Sequence, residues 1–329
     1  YIQDAAEAGV DAFIIADLGV LALAKKYAPQ VERHVSTQAG ITNYEAAKVC
    51  YELGAKRVVL ARELPLTEIA LIRDNCPADL ELEAFVHGAM CMSVSGRCLL
   101  SSYMAGRSGN RGECAQPCRW KYNLVEEHRP GQYMEIGESE DNGSYILNAN
   151  DLCTAPFIDL ICKAGVDSLK IEGRMKTALY VATVARTYRK ALDDYQKDPE
   201  LYRKNMPWYL DQISNCTYRQ FTTGFFFGKP DSESQIYDSN TYIKEYTYLG
   251  IVGEVKDGLI QIEQRNKFSV GETIEIMKPD GRNVEAKVVR IVNQDGEEQE
   301  NAPHPKQILF VELSEQADVY DLLRRQEKV

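Results

Sequence analysis

The sequence predicts an α/β protein whose parallel sheet is followed by a small antiparallel β-barrel. Two observations predict this. Up to about residue 205, short apolar strands alternate with helical stretches in units of about 25 residues, the pattern of strand–helix–strand repeats. From about residue 242, apolar and polar residues alternate with a period of two, as in half-buried antiparallel strands. A chain of 329 residues fits two domains at roughly 150 residues each.

Each repeat in the first part begins with a short apolar strand, introduced by glycine or another turn residue. Strands are predicted at residues 10–16, 33–38, 57–61, 80–87 and 166–171. Helices, recognised by apolar residues three and four positions apart, are predicted at residues 43–53, 66–74, 152–163 and 176–204. The second part contains five alternating segments, with turns at Asp257-Gly258 and at Pro279-Asp280-Gly281.

Five units that begin within a helix fit two architectures, a doubly wound open sheet or the last five units of a (β/α)8 barrel. No glycine-rich dinucleotide fingerprint follows any predicted strand, which favours the barrel. We therefore expect an N-terminally truncated TIM-like barrel at residues 1–205, a linker at 206–240 and a β-barrel domain at 241–329. A cysteine-rich insertion at 88–151 follows the fourth strand, on the face where such barrels build active sites.

The charge is acidic overall but basic in one place. The 38 Lys and Arg against 49 Asp and Glu give a net charge of −11, which argues against unselective coating of nucleic acid. No apolar run approaches the roughly 20 residues needed to cross a bilayer, so we expect no membrane partner and a cytoplasmic location. The oligomeric state stays open. Between residues 91 and 122, Glu113 is the one acidic residue, and the basic residues are Arg97, Arg107, Arg111, Arg119 and Lys121.

The nine cysteines are unevenly spaced. Four fall close together in the insertion and a fifth follows it: Cys91, Cys98, Cys114, Cys118 and Cys153. They lack the paired C-x2-C spacing of most structural zinc sites, which leaves an iron–sulfur cluster, a loosely spaced zinc site or unliganded thiols. The single cysteines are expected to be small buried hydrophobic residues: Cys50, Cys76, Cys162 and Cys216.

A family resemblance is carried by five motifs around these cysteines. They are residues 83–91 (EAFVHGAMC), 95–102 (SGRCLLSS), 110–120 (NRGECAQPCRW), 150–153 (NDLC) and 168–174 (SLKIEGR). Together they resemble the signature of the peptidase U32 family, from about residue 10 to the C-terminal β-domain. Members of that family act in oxygen-independent hydroxylation of the wobble uridine of tRNA, of a 23S rRNA cytidine or of ubiquinone precursors.

The resemblance implies a [4Fe–4S] cluster on Cys91, Cys98, Cys114 and Cys153, with Cys118 as a spare. It also implies prephenate as hydroxyl donor and tRNA, at its anticodon region, as partner. The expected activity is prephenate-dependent C5 hydroxylation of the wobble uridine without dioxygen. The alternatives are 23S rRNA cytidine hydroxylation and, from the family name, a peptidase or collagenase. The sequence has neither the H-E-x-x-H nor the G-x-S-x-G motif of common peptidase classes.

Further site candidates come from strand alternation. Glu83 and His87 share one face of the fourth strand, and Lys170 and Glu172 share one face of the last strand. We expect catalytic roles for these four residues. Histidine transfers protons near neutral pH, which supports such a role for His87. A structural histidine and a structural Lys170–Glu172 pair remain the alternatives. The residues expected to hold the anionic donor are Arg62, Glu63 and Arg174.

The basic insertion is expected to contact RNA phosphates through Arg97, Arg107, Arg111 and Arg119. The alternative is a solvated loop whose arginines bond to its own turns. Trp120, Tyr103 and Tyr122 are available to stack a base. Aromatic residues at irregular spacing are more often packing residues, so the arginines are the first candidates.

Overall fold

The computed structural model divides the chain into two compact units. It describes residues 1–91, 93, 98–107, 109, 113–120, 123–124, 131, 134–135, 150–174, 176–215, 221–228 and 246–327. The first unit is Tyr1–Arg174 with Gln220–Thr241, and the second is Met175–Arg219 with Tyr242–Val329. None of the helices in these described ranges is both long enough and apolar enough to cross a membrane.

The first unit contains six helices and nine strands among its described residues. The helices are α1 Ile2–Glu7, α2 Leu18–Tyr27, α3 Tyr44–Glu52, α4 Leu66–Asn75, α5 Leu100–Ala105 and α6 Ile158–Lys163. The strands are β1 Ala12–Ile15, β2 Glu32–Val35, β3 Arg57–Val59, β4 Glu81–Ala89, β5 Asn123–Leu124, β6 Met134–Glu135, β7 Asp151–Cys153, β8 Ser168–Ile171 and β9 Phe221–Thr222. Side-chain caps begin two of the helices: Asp17 accepts the Val20 amide of α2, and Asn43 accepts the Ala46 amide of α3.

All five strands predicted for the first part are present and form a continuous parallel array. Its order is β1-β2-β3-β4-β8, with β4 paired to both β3 and β8. This confirms the α/β class with a parallel sheet. The eight-unit barrel stays a prediction. Strand β2 is shorter than predicted because Ser36 begins a 3-10 turn at Thr37–Ala39 by accepting the Gln38 amide.

Strand β4 separates apolar from polar residues as its alternation predicts. Leu82, Ala84 and Val86 are almost fully buried on one face. The opposite face carries Glu83 and His87, which are also buried. Beyond His87 the strand continues to Ala89 and pairs antiparallel with β7, which in turn pairs in parallel with β9.

Two helix predictions were wrong in their bounds. The predicted helix 152–163 is instead strand β7, a 3-10 turn and the short α6, because the backbone of β7 pairs with the extended end of β4. The predicted helix 176–204 is two helices, since Pro199 forces Asp198 into an extended conformation between them.

The described residues of the second unit form three helices and a closed six-stranded barrel. The helices are α7 Ala178–Lys197, α8 Pro199–Lys204 and α9 Met206–Ser214. The strands are β10 Tyr246–Lys256, β11 Leu259–Glu263, β12 Thr273–Met277, β13 Asn283–Val292, β14 Ile308–Leu313 and β15 Leu322–Gln326. The barrel order is β10-β11-β14-β13-β12-β15, and its interior is filled by apolar residues. The predicted antiparallel β-barrel is thus confirmed.

Helix α7 belongs with the barrel, whereas the sequence-based division placed it with the parallel sheet. Its buried Arg186 donates to the Lys278 carbonyl (2.9 Å), the Asn283 side chain (3.0 Å) and the Gln212 side chain of α9 (2.5 Å). Burial, together with the charge of Arg324, lowers the Arg186 pKa to about 10. These bonds of a buried guanidinium connect α7 and α9 to the barrel.

Candidate functional site

Most of the predicted site residues of the first unit lie on or beside β4. The strand is central because it has partners on both sides and is the longest in its sheet. Its polar face runs from Glu81 through Glu83 and Phe85 to His87. Strand β8 pairs with β4 from Glu83 to His87, and β7 pairs with its carboxyl end from His87 to Ala89.

Glu83 is surrounded by donors. One carboxylate oxygen accepts from Arg57 at 3.0 Å and from Ser168 at 2.9 Å, and the other accepts from Lys170 at 2.8 Å. Burial alone raises the pKa of Glu83. The hydrogen bond and charge of Lys170, with the bonds from Ser168 and Arg57, outweigh burial and hold the pKa below its ordinary value of 4.5. Glu83 is therefore a carboxylate at neutral pH, with both oxygens engaged.

The two predicted catalytic residues of the last strand have different partners. Lys170 pairs with Glu83 rather than with Glu172. The Glu172 carboxylate instead accepts the Arg174 amide at 3.2 Å and lies 3.9 Å from the Arg62 guanidinium. Lys170 and Glu172 thus belong to two different ion pairs, Lys170 with Glu83 and Glu172 with Arg62.

Arg62 sits where these groups meet the carboxyl end of β4. Its guanidinium lies 3.8 Å from the centre of the Phe85 ring and donates to the Ala89 carbonyl at 3.0 Å. The Lys170 ammonium approaches the same ring at 5.5 Å. Phe85 is therefore covered by two cations, which is a favourable cation–π arrangement. Glu63, next in the chain, is half-buried, and Arg174 is exposed.

His87 is buried at the end of the polar face, only 1% exposed. It is the ladder partner of Cys153 on β7, so these two side chains lie on the same side of the sheet. The Phe221 ring of β9 lies 5.8 Å from the imidazole, centre to centre. A predicted proton carrier and a predicted metal ligand are thus neighbours across one strand pair.

The sequence did not predict the neighbour that covers His87. Residues 221–228, which we call the aromatic segment, belong to the first unit and pack against its other elements. Phe226 and Phe227 contact the Phe157 ring at 5.8 and 4.9 Å, and the Phe226 carbonyl accepts the Leu66 amide. The pairing of this segment with β7 carries no short-range signal in the sequence.

Two of the predicted metal ligands lie in one small folded segment. The sulfur of Cys98 accepts the Leu100 amide and that of Cys114 accepts the Gln116 amide, both at 3.3 Å. A Cβ added to Gly109 would lie 3.8 Å from the Cys114 sulfur and 3.9 Å from the Cys98 carbonyl oxygen. The segment therefore holds both cysteines close together.

The other candidate ligands are placed by the sheet. Cys91 is half-buried two residues after β4, and Cys153 is buried in β7. The spare, Cys118, is half-buried in the 3-10 turn Pro117–Arg119. Within the described part of the chain, no three His, Cys, Asp or Glu side chains are close enough to hold one metal ion.

The single cysteines differ from this group. Burial raises the thiol pKa of Cys50, Cys76 and Cys162, which disfavours the thiolate that a metal or a nucleophile requires. Cys50 is fully buried in α3. Cys216 lies outside the described residues.

The predicted RNA-binding arginines are only partly visible. Arg107 is exposed just beyond α5. Arg97 and Arg111 lie outside the described residues, as does the side chain of Arg119, whose backbone ends a 3-10 turn. The prediction for these four residues stays a prediction.

Comparison with known proteins places the chain in a family. Over 327 residues it is 36% identical to tRNA hydroxylation protein P1 of Bacillus subtilis, covering 99% of this chain and 76% of that protein. It is 33% identical to tRNA hydroxylation protein P of Escherichia coli, covering 98% and 79%. A 23S rRNA 5-hydroxycytidine synthase of Escherichia coli is 33% identical, covering 74% and 36%. The models of peptidase family U32 and of its C-terminal domain match residues 1–236 and 244–324. The chain therefore belongs to peptidase family U32.

Proposed function

We propose that this chain is a tRNA-modifying enzyme that hydroxylates C5 of the wobble uridine in the anticodon, with prephenate as hydroxyl donor and a [4Fe–4S] cluster as cofactor. The observation that carries the proposal is its likeness, over nearly its whole length, to two relatives named tRNA hydroxylation proteins. A third relative, named for 23S rRNA hydroxycytidine synthesis, supports RNA hydroxylation as the wider class. The strand–helix units of the first unit would belong to a TIM-like barrel.

The proposed cluster ligands are Cys91, Cys98, Cys114 and Cys153. Two observations favour thiolate chemistry in this group. The sulfurs of Cys98 and Cys114 each accept a backbone N–H, an interaction that stabilises a negatively charged sulfur. The four are all soft sulfur donors, which suits iron–sulfur clusters. When bound, such a cluster supplies electron-transfer chemistry.

The donor would lie at the carboxyl end of β4, gripped by Arg62 and Arg174. An arginine suits this task because its planar guanidinium matches a carboxylate. Lys170 is held by Glu83, so its role is to balance that charge and support Phe85 beneath Arg62. Glu63 and Glu172 would orient the two arginines, and His87 would hold or move a proton beside Cys153.

Cluster analysis tests the cofactor. Protein purified without oxygen should contain about four iron atoms and four sulfide ions per chain. Cys98→Ala and Cys114→Ala should each lose most of both. Cys50→Ala is the matched control and should keep them, because Cys50 is a buried thiol of α3. Zinc in place of iron, or equal loss in the control, would contradict the cluster.

Nucleoside mass spectrometry tests the substrate. The tRNA of a strain lacking the gene should have no 5-hydroxyuridine derivatives at the wobble position, and the wild-type gene should restore them. The same measurement in a strain that has the gene but cannot make prephenate tests the donor. The 5-hydroxyuridine derivatives should be absent there as well. An unchanged 5-hydroxyuridine content after deletion would count against the proposal.

A peptidase is the second candidate, and one observation favours it. Cys153 lies opposite His87 on neighbouring strands, an arrangement that resembles a cysteine nucleophile with its base. Both side chains are buried, however, at 5% and 1% exposure, which leaves a peptide little access. Casein cleavage that disappears in Cys153→Ser would support a peptidase, and cleavage that persists in it would remove this candidate.

A further inference from the structure

Three large apolar side chains in the segment that carries Cys98 and Cys114 are exposed to solvent. Tyr103 is 87% exposed, Leu99 is 71% exposed and Trp120 is 45% exposed. The sequence favoured packing roles for aromatic residues here, and the exposure contradicts that for Tyr103. We call Leu99, Tyr103 and Trp120 the stacking surface.

The stacking surface stands on a well-bonded base. The Tyr103 amide donates to the Leu99 carbonyl at 3.0 Å, so the two side chains lie one helical turn apart on one side of α5. On the other side, Ser101 is 1% exposed and its hydroxyl accepts the Ala115 amide at 2.9 Å. Trp120 follows the 3-10 turn that packs against α5. Exposure of Tyr103 is therefore built into the fold of the segment.

Isolated exposed apolar residues are common on protein surfaces and need no explanation. Here three of them occur in a segment with five basic residues against one acidic residue between positions 91 and 122, in a chain of net charge −11. A flat aromatic side chain among arginines suits an unpaired nucleotide, since the base stacks on the ring and the phosphate contacts the guanidinium. The exposed Arg107 lies just beyond α5 and supplies one such cation.

The position of the surface agrees with that ligand. Leu99 directly follows Cys98, and the same segment bonds the sulfurs of Cys98 and Cys114. A base held on Tyr103 would thus be bound by the same segment that carries two of the proposed cluster ligands. A duplex could not use the ring in this way, because its bases are already stacked on each other.

We propose that the stacking surface binds an unpaired base of the RNA substrate, with Tyr103 as the main contact and Leu99 and Trp120 flanking it. The inference rests on the proposed function in taking RNA as the substrate. It adds a specific way of binding, in which loop nucleotides are held by stacking and not only by phosphate contacts. A flanking base of the loop is a suitable occupant, since stacking tolerates every base.

Binding of the full chain to an unmodified tRNA transcript, measured by fluorescence anisotropy at fixed salt, tests the proposal. Tyr103→Ala should weaken binding by about tenfold, the effect expected for loss of one stacked base. Tyr103→Phe keeps the ring and should bind within about twofold of wild type. Tyr320→Ala is the matched control, because Tyr320 is 71% exposed in the second unit. An RNA duplex of equal length should bind all four proteins equally.

Each outcome decides between the proposal and its alternatives. Equal tRNA binding by Tyr103→Ala and wild type would overturn it, as would an equal loss on the duplex. A wild-type dimer that Tyr103→Ala dissociates, seen by analytical ultracentrifugation, would assign the surface to a second copy of the chain. If Tyr103 governs tRNA binding but wild-type protein forms no 5-hydroxyuridine, the proposed function fails and the stacking surface stands. Iron content should match wild type in Tyr103→Ala, and a loss of iron would mean that the residue is structural.

Discussion

The two halves of β4 differ in their strand partners and in the side chains that they carry. From Glu81 to Phe85 the strand lies between β3 and β8, and its charged side chains are locked in ion pairs with Arg57 and Lys170. From His87 to Ala89 the partner on one side becomes the antiparallel β7, and Gly88 adopts a φ of +107°. The first half is regular and electrically balanced, and the second is irregular and carries the candidate chemistry.

The difference shows why buried charge alone does not locate a site. Glu83 has a perturbed pKa and three donors, yet every one of those donors lies in the regular part of the sheet. At the other end, His87 is next to a cysteine, an aromatic ring and the start of the insertion. In parallel α/β folds, function gathers at the carboxyl ends of strands and stability at the amino ends. The two halves of β4 follow that rule.

The largest expected loss of stability comes from Gly88→Ala, a substitution in the irregular half of β4. A Cβ at this position would lie 2.2 Å from the Glu172 carbonyl oxygen, and the left-handed backbone adds strain. Overpacking and a positive φ together should cost about 3 kcal/mol of unfolding free energy. Urea denaturation measures this. Gly106→Ala, with a φ of +63° and open space around it, should cost only about 1 kcal/mol.

Equal stability of Gly88→Ala and Gly106→Ala would mean that β4 and β8 can separate at this point without loss. The close approach at the carboxyl end of the two strands would then be incidental, and the contrast between the halves of β4 would weaken.

The next effect, from Glu83→Gln, concerns the regular half. Removing the charge leaves Lys170 and Arg57 without their shared partner, and both are less than a third exposed. The loss should be about 2 kcal/mol of unfolding free energy, reduced from the fully buried case by partial solvation. Glu81→Gln, whose carboxylate pairs with Arg57 at a more exposed position, should cost about 0.5 kcal/mol. A normal iron content in Glu83→Gln would agree with a supporting role.

The smallest effect is the change with pH in the stability difference between wild type and Glu83→Gln. Because the folded state lowers the Glu83 pKa below 4.5, the ionised group stabilises the fold above that value. This contribution is lost as the pH falls through the folded-state pKa. The stability difference between wild type and Glu83→Gln should therefore be constant from about pH 7 to about pH 5 and shrink toward about pH 3. A difference that grew on acidification would reverse the sign of the interaction.

Local patterns were enough to predict most of the first unit. The five parallel strands follow from their apolar runs, and the two faces of β4 follow from strict alternation between Glu81 and His87. The face on which Glu83 and Lys170 each lie was predicted from alternation along its own strand. The partner of each was not, since Lys170 bonds across to β4 and not along its own strand to Glu172.

The missed features depend on contacts distant in sequence. Strand β7 is three residues long and exists because β4 extends past its parallel neighbours. Strand β15 was missed because its sequence contains Arg324 and Arg325, which normally mark a surface. Arg324 is nevertheless fully buried, lying 4.3 Å from the Tyr246 ring and paired with Glu275. Polar residues with tertiary partners are invisible to an alternation of hydrophobicity.

The order in which the chain visits its two units limits how it can be made and divided. It passes from one unit to the other after Arg174, after Arg219 and after Thr241. During synthesis, α7, α8 and α9 of the second unit are made before β9. The sheet of the first unit can therefore be completed only after these three helices have been synthesised. No single proteolytic cut or truncation yields both units intact, so expression of the two parts separately requires rejoining segments in a new order. Each unit is therefore complete only after part of the other has been synthesised.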